Sequence, residues 1–314
     1  MKKLSIGFLI SIVALMFCFS GVAYAQEGDG LPDPGITPDS PFYFMDKWAK
    51  QLILAFTFKH QAKAQKALQY AEERLAEVDA MLAKKKYKEA TQARSEYQYC
   101  LAVATKSMER VKAKDTDTSE MVALAVSRHV ELLNEGIANA SENASMVLTQ
   151  TRENARKCQE TALRVMVQGD PEKAVQTKLI LMERQLNRVR VMVDEQQETR
   201  LQQELQEYER LGKLDEEIAQ IAGELGKGTT VDHLIGQATS SHLAILAEVH
   251  ERVQEQSWQV VEEAMRVCVE KHERVVAELS EQNRLGQIPE EPPIPEEVSE
   301  NVRQRISSGE PSQK

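Results

Sequence analysis

Apolar residues recur at steps of three and four along almost the whole chain, and few residues interrupt them. Of the 10 prolines and 14 glycines, few lie in the middle of the sequence. Val231, Ile235, Ala238, His242, Ile245, Val249 and Val253 form one such stripe, and Val260, Ala264 and Val267 continue it. That period is the signature of helices packed along one face, with a coiled-coil-like seam. Only 5% of residues are aromatic and 28% are charged, a balance of long helices rather than sheets. At 42% hydrophobic the chain has enough apolar surface to bury a core.

The first residues read differently. Lys2 and Lys3 precede an uncharged, apolar run from Leu4 to Val22, and Ala23-Tyr24-Ala25 places small residues where signal peptidase cleaves. Residues 1–25 are therefore expected to be a secretory signal peptide, with Gln26 as the first mature residue, and the protein to be periplasmic, envelope-bound or extracellular. An uncleaved anchor is the rival reading, since the run approaches the ~20 residues that span a bilayer. Cys18 follows bulky Met16 and Phe17, which excludes a lipobox. Loss of the two lysines takes the formal charge from −10 to −12. An acidic mature chain argues against nucleic acid and against an anionic membrane surface as partners.

Residues 26–40 are expected to be a flexible loop. Asp39-Ser40-Pro41 then opens a helix reaching about Ala83. A turn at Lys84-Lys85-Lys86, a second helix to Lys112 and a third from about Ser119 to Val167 complete the first unit. Asp170-Pro171 starts the second unit, with helices over about 171–195, 198–225 and 231–284. Residues 286–314 are expected to be a Pro/Glu-rich disordered tail that opens on a stiff acidic linker, with one short helix around 297–306.

The two units match. Leu75-x-x-Val78-x-x-Met81-Leu82 corresponds to Leu186-x-x-Val189-x-x-Met192-Val193, Glu96-Tyr97 to Glu207-Tyr208, and Ser127-Arg128-His129 to Ser240-Ser241-His242. The expected fold is all-α: a tandem pair of three-helix antiparallel, coiled-coil-like bundles, 41–168 and 169–285, with very long third helices. Each third helix, at ~50 residues, would be ~75 Å long.

The stretch Gly35-Ile36-Thr37-Pro38-Asp39-Ser40-Pro41-Phe42-Tyr43-Phe44, then Leu54-Ala55-Phe56-Thr57-Phe58 and Ala71-Glu72-Glu73-Arg74-Leu75-Ala76-Glu77, resembles a bacterial family of extracytoplasmic helical domains of unknown function, the DUF5667 type. The resemblance covers about Gly35 to Ala104. It implies export and a helical fold, and carries no catalytic residues with it.

Candidate sites are few. His129 and His242 hold equivalent positions on the apolar stripe. Near Glu131 and Glu248 they are weak metal candidates; the structural reading makes each a core residue satisfied by a neighbour. Axial offsets place Tyr97 beside His129 and Tyr208 beside His242, as a repeated polar lock between helices. The aromatic segment Phe42, Tyr43, Phe44, Trp48, Phe56 and Phe58 is expected to plug the end of the bundle, with membrane or partner docking as the less favoured reading. Glu/Lys/Arg runs are solvated faces. Asn139-Ala140-Ser141 and Asn143-Ala144-Ser145 match glycosylation sequons, a pattern common by chance.

Mature cysteines Cys100, Cys158 and Cys268 each lie alone in a helix. Cys100 and Cys158 are expected roughly 35–40 Å apart along the bundle, beyond the ~7 Å reach of a disulfide. No phosphate loop, zinc spacing, nucleophile elbow or Ser/His/Asp set is present, so neither a catalytic role nor a cofactor is expected. The functional expectation is an exported, non-catalytic helical module that binds another envelope protein or itself. The alternative is a periplasmic metal- or stress-related binding protein using acidic faces and the paired histidines.

Overall fold

The computed structural model describes residues 30–111, 115–281 and 300. The expected signal peptide and most of the Pro-rich tail lie outside the described residues. Among those described, the chain is all helix, in ten segments. They are α1 (Tyr43–Ala55), α2 (His60–Ala83), α3 (Tyr87–Met108), α4 (Asp117–Ala138), α5 (Glu142–Gly169), α6 (Pro171–Asp194), α7 (Glu198–Gly212), α8 (Asp215–Glu224), α9 (Gly228–Arg252) and α10 (Glu255–Glu281).

The fold class is as expected, but the very long helices are not. The helix over 119–167 breaks at Asn139-Ala140-Ser141, where Ser141 is extended, and that over 231–284 breaks at Val253, also extended. Each then folds back as an antiparallel hairpin. In the first, Arg152 Nη1 donates to Asn134 Oδ1 at 2.9 Å, and Leu148 lies so close to Gly136 that a Cβ there would meet it at 3.3 Å. In the second, the Thr239 hydroxyl bonds His272 Nδ1 at 2.9 Å. The physical reason is burial: a straight ~75 Å rod would leave half its apolar stripe in water. Folded back, Val147, Leu148, Ala155 and Leu163 enter the core.

The first helix also splits. Thr57 Oγ1 bonds back to Ile53 O at 2.7 Å and Lys59 is extended, so α1 and α2 are separate elements. The helix over 198–225 is likewise interrupted between Gly212 and Asp215.

Four helical hairpins result, α2–α3, α4–α5, α6 with α7–α8, and α9–α10, and each packs on the next in chain order. Turn chemistry fixes three of the corners. Lys85 and Gln196 take positive φ (57° and 56°), as does Gly226 (73°). After each, an amide reaches back five residues: Lys86 to Met81 O, Gln197 to Met192 O and Lys227 to Ala222 O. This is the Schellman closure of a helix C-terminus. Asp170 caps α6 by accepting from the Lys173 amide at 3.2 Å, and Pro171 follows it in the first turn. Helices approach closely because alanines line the first core: Ala64, Ala67, Ala71, Ala90, Ala93 and Ala104 are fully buried.

The middle seam, where α4–α5 meets α6–α8, is charged. Arg188 bridges Glu131 at 2.6 Å and Glu204 at 2.7 Å, and Asn134 donates to Glu204 at 3.3 Å. Arg156 and Arg210 both bind the buried Glu207, and Arg210 also binds Glu160 at 2.6 Å. Such a seam fixes register, since a slip would strand buried charges.

Candidate functional site

Both histidines singled out in the sequence are buried, and each meets its expected tyrosine. Tyr97 Oη lies 3.1 Å from His129 Nδ1, and Tyr208 Oη lies 3.2 Å from His242 Nδ1. Burial pushes the His129 imidazole down to about 4 and the His242 imidazole down to about 3, so both rings are neutral at pH 7. In either tautomer one proton lies on the Tyr–His bond. The two carboxylates suggested as metal partners are engaged elsewhere, Glu131 with Arg188 and Glu248 with Arg190 and Arg252. Among the described residues no group of three or more His, Cys, Asp or Glu is placed to hold a metal.

Replacing Tyr97 by Phe leaves a buried imidazole nitrogen without a partner, and a loss of about 1–3 kcal/mol is expected. Tyr208→Phe is expected to cost the same in the other lock. Because the two locks lie in different hairpin pairs, the losses add. Urea unfolding of the two single variants and the double variant checks both statements.

The aromatic segment is where the structure departs most from expectation. It is not a plug. Phe44 (67% exposed), Trp48 (64%), Phe56 (66%) and Phe58 (82%) stand in solvent, together with Phe42, Met45 and Leu52. Phe44, Trp48, Leu52 and Phe56 follow one another at steps of four and make a stripe along α1. At roughly 150–250 Å² per aromatic side chain, the cluster exposes on the order of 900 Å². The largest apolar patch of an ordinary monomer is about 300–600 Å².

What faces the protein instead is the polar side of α1. Tyr43 donates to Glu77 Oε2 at 3.0 Å, Asp46 accepts from Arg74 at 2.6 Å, Lys50 pairs with Glu73 at 2.5 Å, and Lys47 pairs with Glu96 at 2.5 Å. Arg74 also binds Glu77 at 2.5 Å and sits 5.2 Å from the Tyr43 ring. Burial works against both charges: it raises the Glu77 carboxyl, whereas at Arg74 the Glu77 and Asp46 carboxylates overcome it and raise the guanidinium. Of the α1 side chains only Tyr43 and Leu54 are buried. The helix is thus amphipathic in the inverted sense, held by partly buried ion pairs and presenting its apolar face outward. No helix among the described residues is long and apolar enough to cross a membrane.

Comparison with known families places this face. The family described as a domain of unknown function, DUF5667, matches residues 35–164. Residues 35–164 are similar to that family. The match runs past Ala104, where the resemblance of the opening motifs stopped, and takes in α1 to α4 and most of α5. No curated protein and no solved structure matches the chain. The inverted helix α1 and its anchor on α2 therefore lie within the matched residues, as do Tyr97, His129 and Cys158.

One pair of buried groups went unread in the sequence. Cys158 lies 3.3 Å from the Thr105 hydroxyl, and Cys268 donates to Thr239 O at 3.3 Å. The signal was available: Arg156-x-Cys158-x-Glu160-x-x-x-Arg164-Val165 and Arg266-x-Cys268-x-Glu270-x-x-x-Arg274-Val275 share one pattern. The expected 35–40 Å between Cys100 and Cys158 fails for the same reason the long helices fail. With α5 folded back, Cys158 stands level with Thr105, five residues or ~8 Å along α3 from Cys100. The three cysteines among the described residues are buried free thiols, and burial raises Cys100 to about 12 and Cys158 to about 11, which makes these two poor nucleophiles.

Proposed function

We propose that this protein is an exported, non-catalytic helical module of the cell envelope whose working surface is the outward aromatic face of α1. One observation carries the reading: Phe44, Trp48 and Phe56 are exposed on a helix whose polar side is bound into the protein by Arg74, Glu77, Glu73 and Glu96. Anchoring an amphipathic helix this way round leaves a contact surface outside. The titratable groups of the locks support a structural role, because each is buried and bonded to a neighbour. We read the chain as a tandem duplication, 41–168 and 169–285, in which only the first unit acquired the aromatic helix. The paired Tyr–His locks and the shared cysteine pattern support that reading. The apolar run at 4–22, followed by Ala-x-Ala, supports export.

The test is retention. A Phe44→Ser/Trp48→Ser variant changes only exposed side chains, so its helix content and melting temperature are expected to match the parent within a few degrees. Its share in the washed envelope fraction of the native cell is expected to fall at least fivefold. A variant that folds normally and is retained like the parent overturns this function.

A further inference from the structure

We infer that the surface met by α1 is the interface of an anionic lipid bilayer, with the aromatic stripe in the headgroup region and the lysines at its border. The inference deepens the functional reading above and rests on it. Charge singles out this occupant. From Lys47 to Ala71 the chain carries five lysines and no Asp or Glu, although its net charge is −10. The face is the basic part of an acidic molecule. Lys47 and Lys50 are spent on anchoring carboxylates, but Lys59, Lys63 and Lys66 make no ion pair among the described residues.

Position supports the same partner. Lys59 follows Phe58 directly, and Lys63 and Lys66 lie one and two turns further along one stripe of α2. The same stripe carries Tyr70, Glu73, Arg74 and Glu77, the residues on which α1 rests. Lys59 is exposed and Lys63 and Lys66 are half-buried, on the part of that stripe that continues past the seat of α1 toward Phe58. A short helix with Trp, Phe and Leu on one side and lysines beside it is the composition of an interfacial membrane helix. Lysine is depleted at protein–protein interfaces, and a second copy would bring two such cationic borders together.

The test uses the form beginning at Gln26, which keeps every described residue, in a Trp258→Phe background so that Trp48 is the sole indole. Vesicles of phosphatidylcholine with one third phosphatidylglycerol, and vesicles of phosphatidylcholine alone, are added at low and high salt. The expected result is a blue shift of Trp48 emission and co-sedimentation with the anionic vesicles, at least tenfold weaker with neutral vesicles or in 0.5 M salt. Each Lys→Gln change at 59, 63 or 66 is expected to weaken binding about fivefold. The Phe44→Ser/Trp48→Ser variant, which lacks the reporting indole and is followed by sedimentation, is expected not to bind.

Absence of binding to either vesicle overturns the inference, as does binding that the Phe44→Ser/Trp48→Ser change leaves intact. A blue shift that grows with protein concentration without lipid, together with a dimer in light scattering, overturns it in favour of a second copy. If the envelope fraction loses the variant while pure vesicles fail to bind the parent, the functional reading stands and the bilayer is excluded. If the variant is retained, that reading falls first.

Discussion

Replacing Glu77 by Ala is expected to cost about 3–5 kcal/mol, because it leaves the Arg74 guanidinium buried without its closest counter-charge. Arg74 is 2% exposed and has two carboxylate partners, Glu77 and Asp46, of which Asp46 is the more exposed. The same substitution removes the acceptor of the Tyr43 hydroxyl, so the anchor of α1 loosens together with the core beneath it. A second effect is therefore expected: cleavage by a dilute protease between Phe56 and Lys59 should accelerate, since α1 is held to the molecule mainly through that cluster. Thermal and urea unfolding measure the first effect and limited proteolysis the second. The companion variant Arg74→Met/Glu77→Leu restores most of the stability, as apolar replacements of buried ion pairs often do. It should not restore α1, whose Tyr43 still lacks its acceptor and whose Asp46 keeps only Lys50, on α1 itself. If Glu77→Ala costs less than about 1 kcal/mol, the cluster does not hold the helix.

Acidification is the second large effect. His129 and His242 have folded pKa values of about 4 and about 3, below the ordinary 6.5 of an unfolded chain. The unfolded state therefore binds protons first as the pH falls. The stability each buried histidine contributes is complete above pH 6.5 and is lost as the pH falls toward its folded value. At about 1.4 kcal/mol per pKa unit, each lock loses roughly 3 kcal/mol between pH 6.5 and 4. Burial raises the Glu204 and Glu209 carboxyls, and their proton uptake in the folded state opposes this loss. The clean measurement is thus a difference between parent and variant. His129→Gln can still bond Tyr97 and is expected to cost about 1 kcal/mol at pH 7. Its stability should vary less with pH, so that the order inverts just below about pH 6. His242→Gln should behave likewise. Urea midpoints at pH 7 and pH 4.5 decide it, and parallel slopes for parent and variants would overturn the buried-neutral assignment.

Much of this molecule is legible in its residues taken in order. The 3.6-residue period and the scarcity of turn formers set an all-helical chain. Asp170-Pro171 and the Lys84-Lys85-Lys86 turn mark corners that the backbone then closes with caps and left-handed residues. The matched Tyr and His positions were enough to place both locks, because equal spacing from a loop fixes axial height on packed helices. The paired cysteines were equally accessible, through the shared Arg-x-Cys-x-Glu pattern, and passed unread.

Tertiary structure decided the rest, and for one reason. Periodicity tells which side of a helix is apolar, but not what that side meets. On α4 and α5, continuous helical pattern reads as one rod; only competition for a finite core makes the chain fold back at Asn139-Ala140-Ser141, which also brings Cys158 level with Thr105. On α1, an apolar stripe reads as core. It lies outside because Arg74 and Glu77, 28 and 34 residues downstream of Asp46 and Tyr43, give the polar side buried partners that water would otherwise supply. The sign of an amphipathic helix, inward or outward, is set by partners distant in the chain, and no window of local sequence contains them.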